Sequence, residues 1–335
     1  MDLSIIIINY KSAQHVSNCV ESIYKETSAH SFEIIVVDND SGDDSKDRIL
    51  KTFPQIIWLQ AGYNAGFARA NNAGIRIAKG KYILLLNADT IVLDKALDKT
   101  IDLFEQTDAV GCGVQLLNPD MSHQISGAHF VKGGLNVLLP LPYLGRFVRY
   151  WGYKLKTRVP SVQTVSQKIE VDWIVGAFIL VSKDVLTKSG LLDEDFFMYA
   201  EEIEWCSRLR KQGKLYLFNE PKVIHLGGGT SSDYYGTEEN ENSKNLWNKK
   251  GRQIMISKML QIRKQFGLAW FILICAFFIV EIPLFVFCLL IEKIIKGEKA
   301  RYTWNNVWGY CKNIAVLFKY VPKIVSNKPF FYKVY

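Results

Sequence analysis

The chain has 335 residues, 49% of them hydrophobic, and a net charge of +8. That length accommodates one large domain, or a domain with an appendage. Six cysteines, at 19, 112, 206, 275, 288 and 311, show no CxxC pairing; they read as reduced core residues and exclude a disulfide framework.

The chain opens on "LSIIIIN" (3–9) behind Asp2. This apolar run has no basic flank and is too short for a signal peptide, so a catalytic part, if there is one, is expected on the cytosolic side. A helical stretch follows at 13–26, then "FEIIVVDND" (32–40), "QIIWLQ" (55–60) and a helix-like "GFARANNAGIRIAKG" (66–80). "YILLLN" (82–87) is a fourth strand, "LDKALDKTIDLFEQ" (93–106) a helix, and "AVGCGVQLL" (109–117) a fifth strand. Uniformly aliphatic strands alternating with amphipathic helices predict an α/β domain with a parallel sheet buried on both faces. Ligands of such sheets bind beyond the carboxyl ends of the strands, where this sequence carries Asn9, Asp38, Asp40, Asn87 and Asp89.

Residues 118–168 mix Gly, Pro, aromatics and cations without a period, and read as an excursion from the domain. "KIEVDWIVGAFILVSKDVL" (168–186) is strand-like again. "FFMYAEEIEWCSRLRKQG" (196–213) predicts a helix closed by Gly213, and "KLYLFNEPKVIHLGGGTSS" (214–232) one or two strands with a glycine turn. From Lys244 onward 16 Lys and Arg face only three acids, Glu281, Glu292 and Glu298. That basic tail holds "FGLAWFILICAFFIVEIPLFVFCLLI" (266–291), longer than the ~18 residues that mark a membrane candidate. The boundary is therefore set at 243/244. The cations suit an anionic membrane surface, and the apolar run argues against nucleic acid.

Several groups have chemical potential. Carboxylates at strand tips converge on one crevice, where Mg²⁺ or Mn²⁺ on a diphosphate would find oxygen ligands, although Asp and Asn are also ordinary turn and cap residues. "NAGFARANNAG" (64–74) offers amides and free N–H groups at a helix start, suited to phosphate or sugar hydroxyls. Glu201 and Glu204 share one helix face while Glu202 points about 100° away. Aromatics surround all three, a setting that tunes a carboxylate as a general base. His225 ends a strand and joins the site only if the chain brings it to Asp89. A dinucleotide-binding reading needs GxGxxG after the first strand, and "IIIINYKSAQH" has no glycine.

The order "IIIINY", "VVDND", "NAGFARANNAG", "LLLNADT", "DEDFFMYAEEIEWCSRLRKQG" and "VIHLGGGTS" over residues 1–232 resembles family 2 glycosyltransferases, closest to their rhamnosyltransferase-like branch. The resemblance implies the GT-A (nucleotide-diphospho-sugar transferase) fold, a mostly parallel sheet flanked by helices. It implies a nucleotide-sugar donor lying across Asn9, Tyr10, Asp38, Asn39, Asn64, Gly66, Asn72 and Asn87. "NAD" stands where the family has Asp-x-Asp, so Asp89, completed by His225, would hold a divalent metal, Mn²⁺ or Mg²⁺. The acidic helix matches the family's Glu-Asp pair, which makes Glu202 the catalytic base, with Glu201 the alternative because Glu replaces Asp. No Gln-x-x-Arg-Trp is present, so one sugar per acceptor is expected, in inverting transfer during cell-surface polysaccharide synthesis. The expected acceptor is a lipid-linked saccharide; transfer to a polyprenyl phosphate, or donor binding without catalysis, are the alternatives.

The tail is expected to attach the enzyme to the cytoplasmic face of the inner membrane. Arg263 and Lys264 precede the apolar run, and Lys293, Lys296, Lys299 and Arg301 follow it. Both ends are therefore expected on the cytosolic side. The run can span, form a hairpin at Pro283 or lie along the interface, and the sequence leaves the oligomeric state open.

Overall fold

Aliphatic runs at 3–9 and 82–86 become neighbouring central strands. The computed structural model describes residues 1–155, 159–227 and 245–329. In chain order its elements are β1 (Leu3–Asn9), α1 (Ala13–Glu26), β2 (Phe32–Asp38), α2 (Ser45–Thr52), β3 (Ile57–Gln60), α3 (Gly66–Ile77), β4 (Tyr82–Leu86), β5 (Thr90–Val92), α4 (Ala96–Glu105) and β6 (Ala109–Leu117). There follow β7 (Gly127–Ala128), α5 (Leu144–Lys154), β8 (Ser161–Val162), β9 (Lys168–Val171), β10 (Trp173–Ile174), β11 (Phe178–Ser182), α6 (Lys183–Ser189), α7 (Glu201–Leu209) and β12 (Lys214–His225). Three long helices close the described chain: α8 (Lys249–Phe266), α9 (Leu268–Lys296) and α10 (Trp304–Val325).

The main sheet has the order β3-β2-β1-β4-β11-β6-β12-β5, with β9 pairing β12. β1 lies parallel to β2 and β4, β2 to β3, and β6 to β12. β11 runs antiparallel between β4 and β6, so the sheet is mixed and mostly parallel. The register aligns Asn9 with Asp38 and Asp38 with Gln60, which puts the polar strand ends in one row.

Side chains of β1 alternate between two cores. Leu3, Ile5 and Ile7 join Val16 and Val20 of α1 and Phe104 of α4. Ile6 joins Ala68 and Ile75 of α3 and Trp205 and Leu209 of α7. All six cysteines are free thiols; Cys19, Cys112, Cys206 and Cys275 are buried as expected, whereas Cys288 and Cys311 are only partly so.

Two local expectations need correction and one is narrowed. The helix expected over 196–213 begins only at Glu201 and ends at Leu209. Tyr199 and Ala200 both have φ of 70°, which a right-handed helix does not accommodate. Of the one or two strands expected from 214, one forms, β12, irregular between Phe218 and Lys222, where Pro221 cannot donate to the ladder. The helix expected over 66–80 stops at Ile77. The glycine turn beyond Gly227 and the boundary at 243/244 lie outside the described residues.

The chain divides into two compact units. The first comprises Met1–His129, Ser161–Phe197 and Glu201–Gly236, and contains the sheet. The second comprises Phe130–Pro160, Met198–Ala200 and Thr237–Tyr335. Its helices α8 and α9 are joined at Gly267 (φ 89°), and Cys275 Sγ meets Met259 Sδ at 3.9 Å, so they run antiparallel as a hairpin.

Candidate active site

The tips of β1 and β2 are tied together by polar side chains. Asn9 Nδ2 donates to Asp38 Oδ1 at 2.7 Å and to Ser41 Oγ at 3.0 Å. Asp38 also accepts from Ser41 Oγ at 2.6 Å and from Gln60 Nε2 at 2.7 Å. Both Asn9 and Asp38 are buried, and a buried carboxylate persists only where such donors satisfy it. Tyr10 is half-buried next to Lys11, whose φ is 52°. Asp40 also lies in the left-handed region, at 66°. Backbone held this way marks a turn whose shape the surroundings impose.

Asn39 extends this network to the next loop. Its Oδ1 accepts from Ala65 N at 2.8 Å and its Nδ2 donates to Asn64 Oδ1 at 3.1 Å. Asn64 Oδ1 accepts in turn from Gly66 N at 3.2 Å. Gly66 has φ of 78°, and a Cβ there would fall 2.2 Å from the Phe197 carbonyl oxygen. Phe67 N donates to that same oxygen at 2.7 Å. The glycine therefore lets the start of α3 close on the segment that leads to the acidic helix. Asn72 is used differently: its Nδ2 donates to Leu192 O at 2.8 Å and its Oδ1 accepts from Leu192 N at 3.0 Å. Buried on α3, it fastens the 192–194 segment and stands outside the network of Asn9, Asp38, Asn39, Asn64 and Gly66.

Beyond β4, Asn87, Asp89 and His225 meet. His225 Nε2 lies 3.5 Å from Asp89 Oδ1 and 3.5 Å from Asn87 Nδ2, because β12 pairs with β5 and sets His225 opposite Thr90. Gln124 fixes the imidazole. Its Nε2 donates to Asn118 Oδ1 at 2.9 Å and to His225 O at 3.3 Å, which turns Oε1 to His225 Nδ1 at 2.7 Å. An amide oxygen only accepts, so Nδ1 carries a proton, and in the neutral imidazole Nε2 is then the nitrogen with the free lone pair. That lone pair and a carboxylate oxygen face the same space, an arrangement suited to a cation. Among the described residues no group of three or more His, Cys, Asp or Glu is arranged to hold a metal by itself. A bound diphosphate or water would be suited to supply further oxygen ligands to a metal here. Cys19 lies nearby, with Sγ 3.4 Å from Thr90 Oγ1. Burial pushes its thiol up to about 12, so it supplies no thiolate at neutral pH.

The acidic helix resolves into three roles. Glu204 accepts from Arg208 in an ion pair at 2.7 Å, and Arg208 also donates to Leu191 O at 2.8 Å. Glu201 is buried, whereas Glu202 is half-buried. Glu202 Cβ and Cγ, together with Phe67 Cζ, surround the position a Cβ on Gly176 would take, at 3.8, 3.8 and 3.7 Å. The next residue, Ala177, accepts from Asn87 N at 3.0 Å. The 176–177 turn thus lies next to both Glu202, beside Gly176, and the backbone of Asn87, which leads to Asp89.

Sequence reasoning missed Gln124, Ser41, Gln60 and the 176–177 turn. Ser41 directly follows "VVDND" and was within reach of a turn argument. Gln124 lies in the aperiodic 118–168 segment, where no local signal marks it.

Residues 4–170 match the family described as Glycosyl transferase family 2. Among curated relatives, the low-salt glycan biosynthesis hexosyltransferase Agl10 of Haloferax volcanii is 29% identical over 63% of this chain and 62% of its own length. The N-acetylglucosaminyl-diphospho-decaprenol L-rhamnosyltransferase of Mycobacterium tuberculosis is 23% identical over 67% of this chain and 75% of its own. Among solved structures, GalNAc-T7 with UDP, GalNAc and Mn²⁺ superposes with a TM-score of 0.51 at 15% identity, covering 77% of this chain and 47% of that one. This last likeness concerns the fold, which is of the GT-A kind. With the matched residues lying on the sheet that carries the polar strand ends, the chain belongs to glycosyltransferase family 2, on the branch of these rhamnosyl and hexosyl transferases.

Proposed function

We propose that this enzyme moves one sugar from a nucleotide-diphosphate donor to a lipid-linked saccharide, with inversion, at the cytoplasmic face of the membrane. The observation that carries the reading is the 176–177 turn, where Glu202 lies beside Gly176 and the Asn87 backbone is bonded to Ala177. Inversion needs a base and a leaving-group site on opposite sides of the reacting carbon, and this turn brings candidates for both into one neighbourhood.

In this reading the acceptor hydroxyl oxygen attacks the anomeric carbon. Its proton passes to the Glu202 carboxylate as the bond from that carbon to the diphosphate oxygen breaks. Asp38, with Asn9 and Gln60 holding it, faces the nucleotide base; the loop of Asn39, Asn64 and Gly66 lines the donor, with Tyr10 and Asn87 beside it. Asn72 acts through the 192–194 segment it fastens. A divalent cation, when bound, supplies positive charge to the departing diphosphate. Asp89 and His225 Nε2 would hold it.

Gln124 tests that ligand set. Gln124→Leu leaves the His225 tautomer unset, and Mn²⁺ affinity should fall about 10–100-fold. Mn²⁺ titration followed by electron paramagnetic resonance checks this, and an unchanged affinity would remove Gln124 from the site.

The mycobacterial relative's name gives both a rhamnosyl group and a decaprenol-linked acceptor, which makes dTDP-rhamnose the first donor to test. Purified full-length chain should hydrolyse or transfer one of dTDP-rhamnose, UDP-hexoses or GDP-hexoses when Mn²⁺ is present. Donor binding without any turnover, in the presence of a lipid-linked acceptor, would make it a binding protein instead.

A further inference from the structure

The second unit has a surface that the transfer reaction does not explain. Helix α9 is, among the described residues, the helix long and apolar enough to cross a membrane by length and composition. Its two flanks differ. Phe271, Phe278, Glu281, Phe285, Leu289 and Glu292 form a buried stripe. On the other flank Ile272, Val280, Phe287, Ile291 and Ile294 are exposed, Ile294 by 83%. A contiguous apolar flank on a folded unit marks an interaction site.

The neighbours of α9 bear on whether it spans. Besides the α8 hairpin, Tyr310 Oη of α10 donates to Phe278 O at 2.9 Å, and Arg301 Nε donates to Glu292 Oε1 at 2.9 Å. Helix α8 carries Lys249, Lys250, Arg252, Lys258, Arg263 and Lys264, and α10 carries Lys312, Lys319 and Lys323. A spanning α9 would draw these cations into hydrocarbon, where each is costly. Helix α8 and the first half of α9 are also of similar length and antiparallel, so both ends of the hairpin cannot leave the bilayer on opposite sides without dragging α8 through it.

The acids within the apolar run point to the same arrangement. Glu281 accepts from Tyr143 N at 2.8 Å and Leu144 N at 2.9 Å, at the start of α5. Glu292 accepts from Tyr143 Oη at 2.8 Å. Both carboxylates thus hold α5 to α9. Helix α5, LGRFVRYWGYK, contains no acid. Phe147, Tyr150 and Trp151 are exposed, with ring centroids 6.0 and 5.9 Å apart in edge-to-face pairs, and Lys154 Nζ sits 5.7 Å from the Tyr150 ring. Arg146 and Arg149 are exposed on the same helix. Amphipathic rings among cations without acids suit the boundary between anionic headgroups and acyl chains.

We propose that the second unit binds an anionic lipid surface in the plane of the membrane, through the exposed flank of α9 and the aromatic cluster of α5, without crossing it. This rests on the membrane attachment proposed above and adds its geometry and its contact residues.

The test uses purified full-length chain, without donor, and vesicles of phosphatidylcholine with or without phosphatidylglycerol. Co-sedimentation should require phosphatidylglycerol and weaken with salt. The combined variant Phe147→Ala, Tyr150→Ala, Trp151→Ala should lower vesicle affinity by about tenfold or more, with Mn²⁺-dependent donor turnover in detergent kept as a control for folding. Nitroxide labels placed singly at 272, 280, 287 and 294 then report depth. Equal, shallow depths support the in-plane arrangement. A depth maximum at 280 with shallow ends overturns it while leaving membrane attachment standing. Absence of vesicle binding overturns both. Donor turnover is a separate readout, so loss of the transferase reading leaves the lipid result intact.

Discussion

Glu202→Gln is expected to lower kcat by about 10²–10⁴-fold, the range for losing a general base, while donor affinity changes little. Glutamine keeps the length and packing of the side chain against Gly176 but cannot accept the acceptor proton. The comparison that assigns the base is Glu201→Gln. Glu201 is 4% exposed, and its neighbour Glu202 is the one set against the 176–177 turn, so the Glu201 variant should keep transfer within about tenfold of the parent. Initial rates at saturating donor, with donor Kd measured separately, decide the matter. Equal losses in both variants, or a Glu202→Gln enzyme that transfers at the parent rate, would remove Glu202 from the chemistry. Glu204 offers an internal contrast. Its carboxylate is committed to Arg208, so Glu204→Gln should act on stability, read as a lower Tm, and not on the pH profile of kcat.

Asp89→Asn should lower kcat/KM on the order of 10³-fold, because it removes the carboxylate proposed to hold a cation that would stabilise the departing diphosphate. The substitution preserves shape, and the Asp89 carbonyl still accepts from Leu226 N at 2.9 Å, so β5 and the end of β12 should stay paired. The specific readout is the metal increment. Mn²⁺ should tighten donor binding to the parent enzyme and have almost no effect on the variant, as calorimetric titration with and without Mn²⁺ would measure. A variant that retains the full Mn²⁺ effect would relocate the cation away from Asp89.

The row of strand ends was legible before any coordinates. Asn9, Asp38 and Asn87 each follow an aliphatic run, and parallel strands side by side must present their tips at one edge. Asn72 shows the limit of that logic. Its amide type suited a donor pocket, yet both ends of the amide are occupied by the Leu192 backbone. Side-chain type does not specify which loop will fold across a helix face. Likewise the helix expected from residue 196 lost its first turn at Tyr199 and Ala200, since a positive φ is imposed by surroundings and leaves no trace in non-glycine residues.

What the sequence determined by itself was period and composition: alternating strand and helix, a glycine where α3 closes on Phe197, and a long apolar run among cations. These are local properties, set by side-chain spacing and backbone freedom. Tertiary structure alone decided that β11 runs backward between β4 and β6, and that a glutamine from the aperiodic segment orients His225. It also turned Glu281 and Glu292 inward onto α5, leaving the other flank of α9 bare. Each of these depends on contacts between residues 68 to 149 positions apart, from Leu180–Cys112 to Tyr143–Glu292, and no local preference encodes the direction or partner of such a contact.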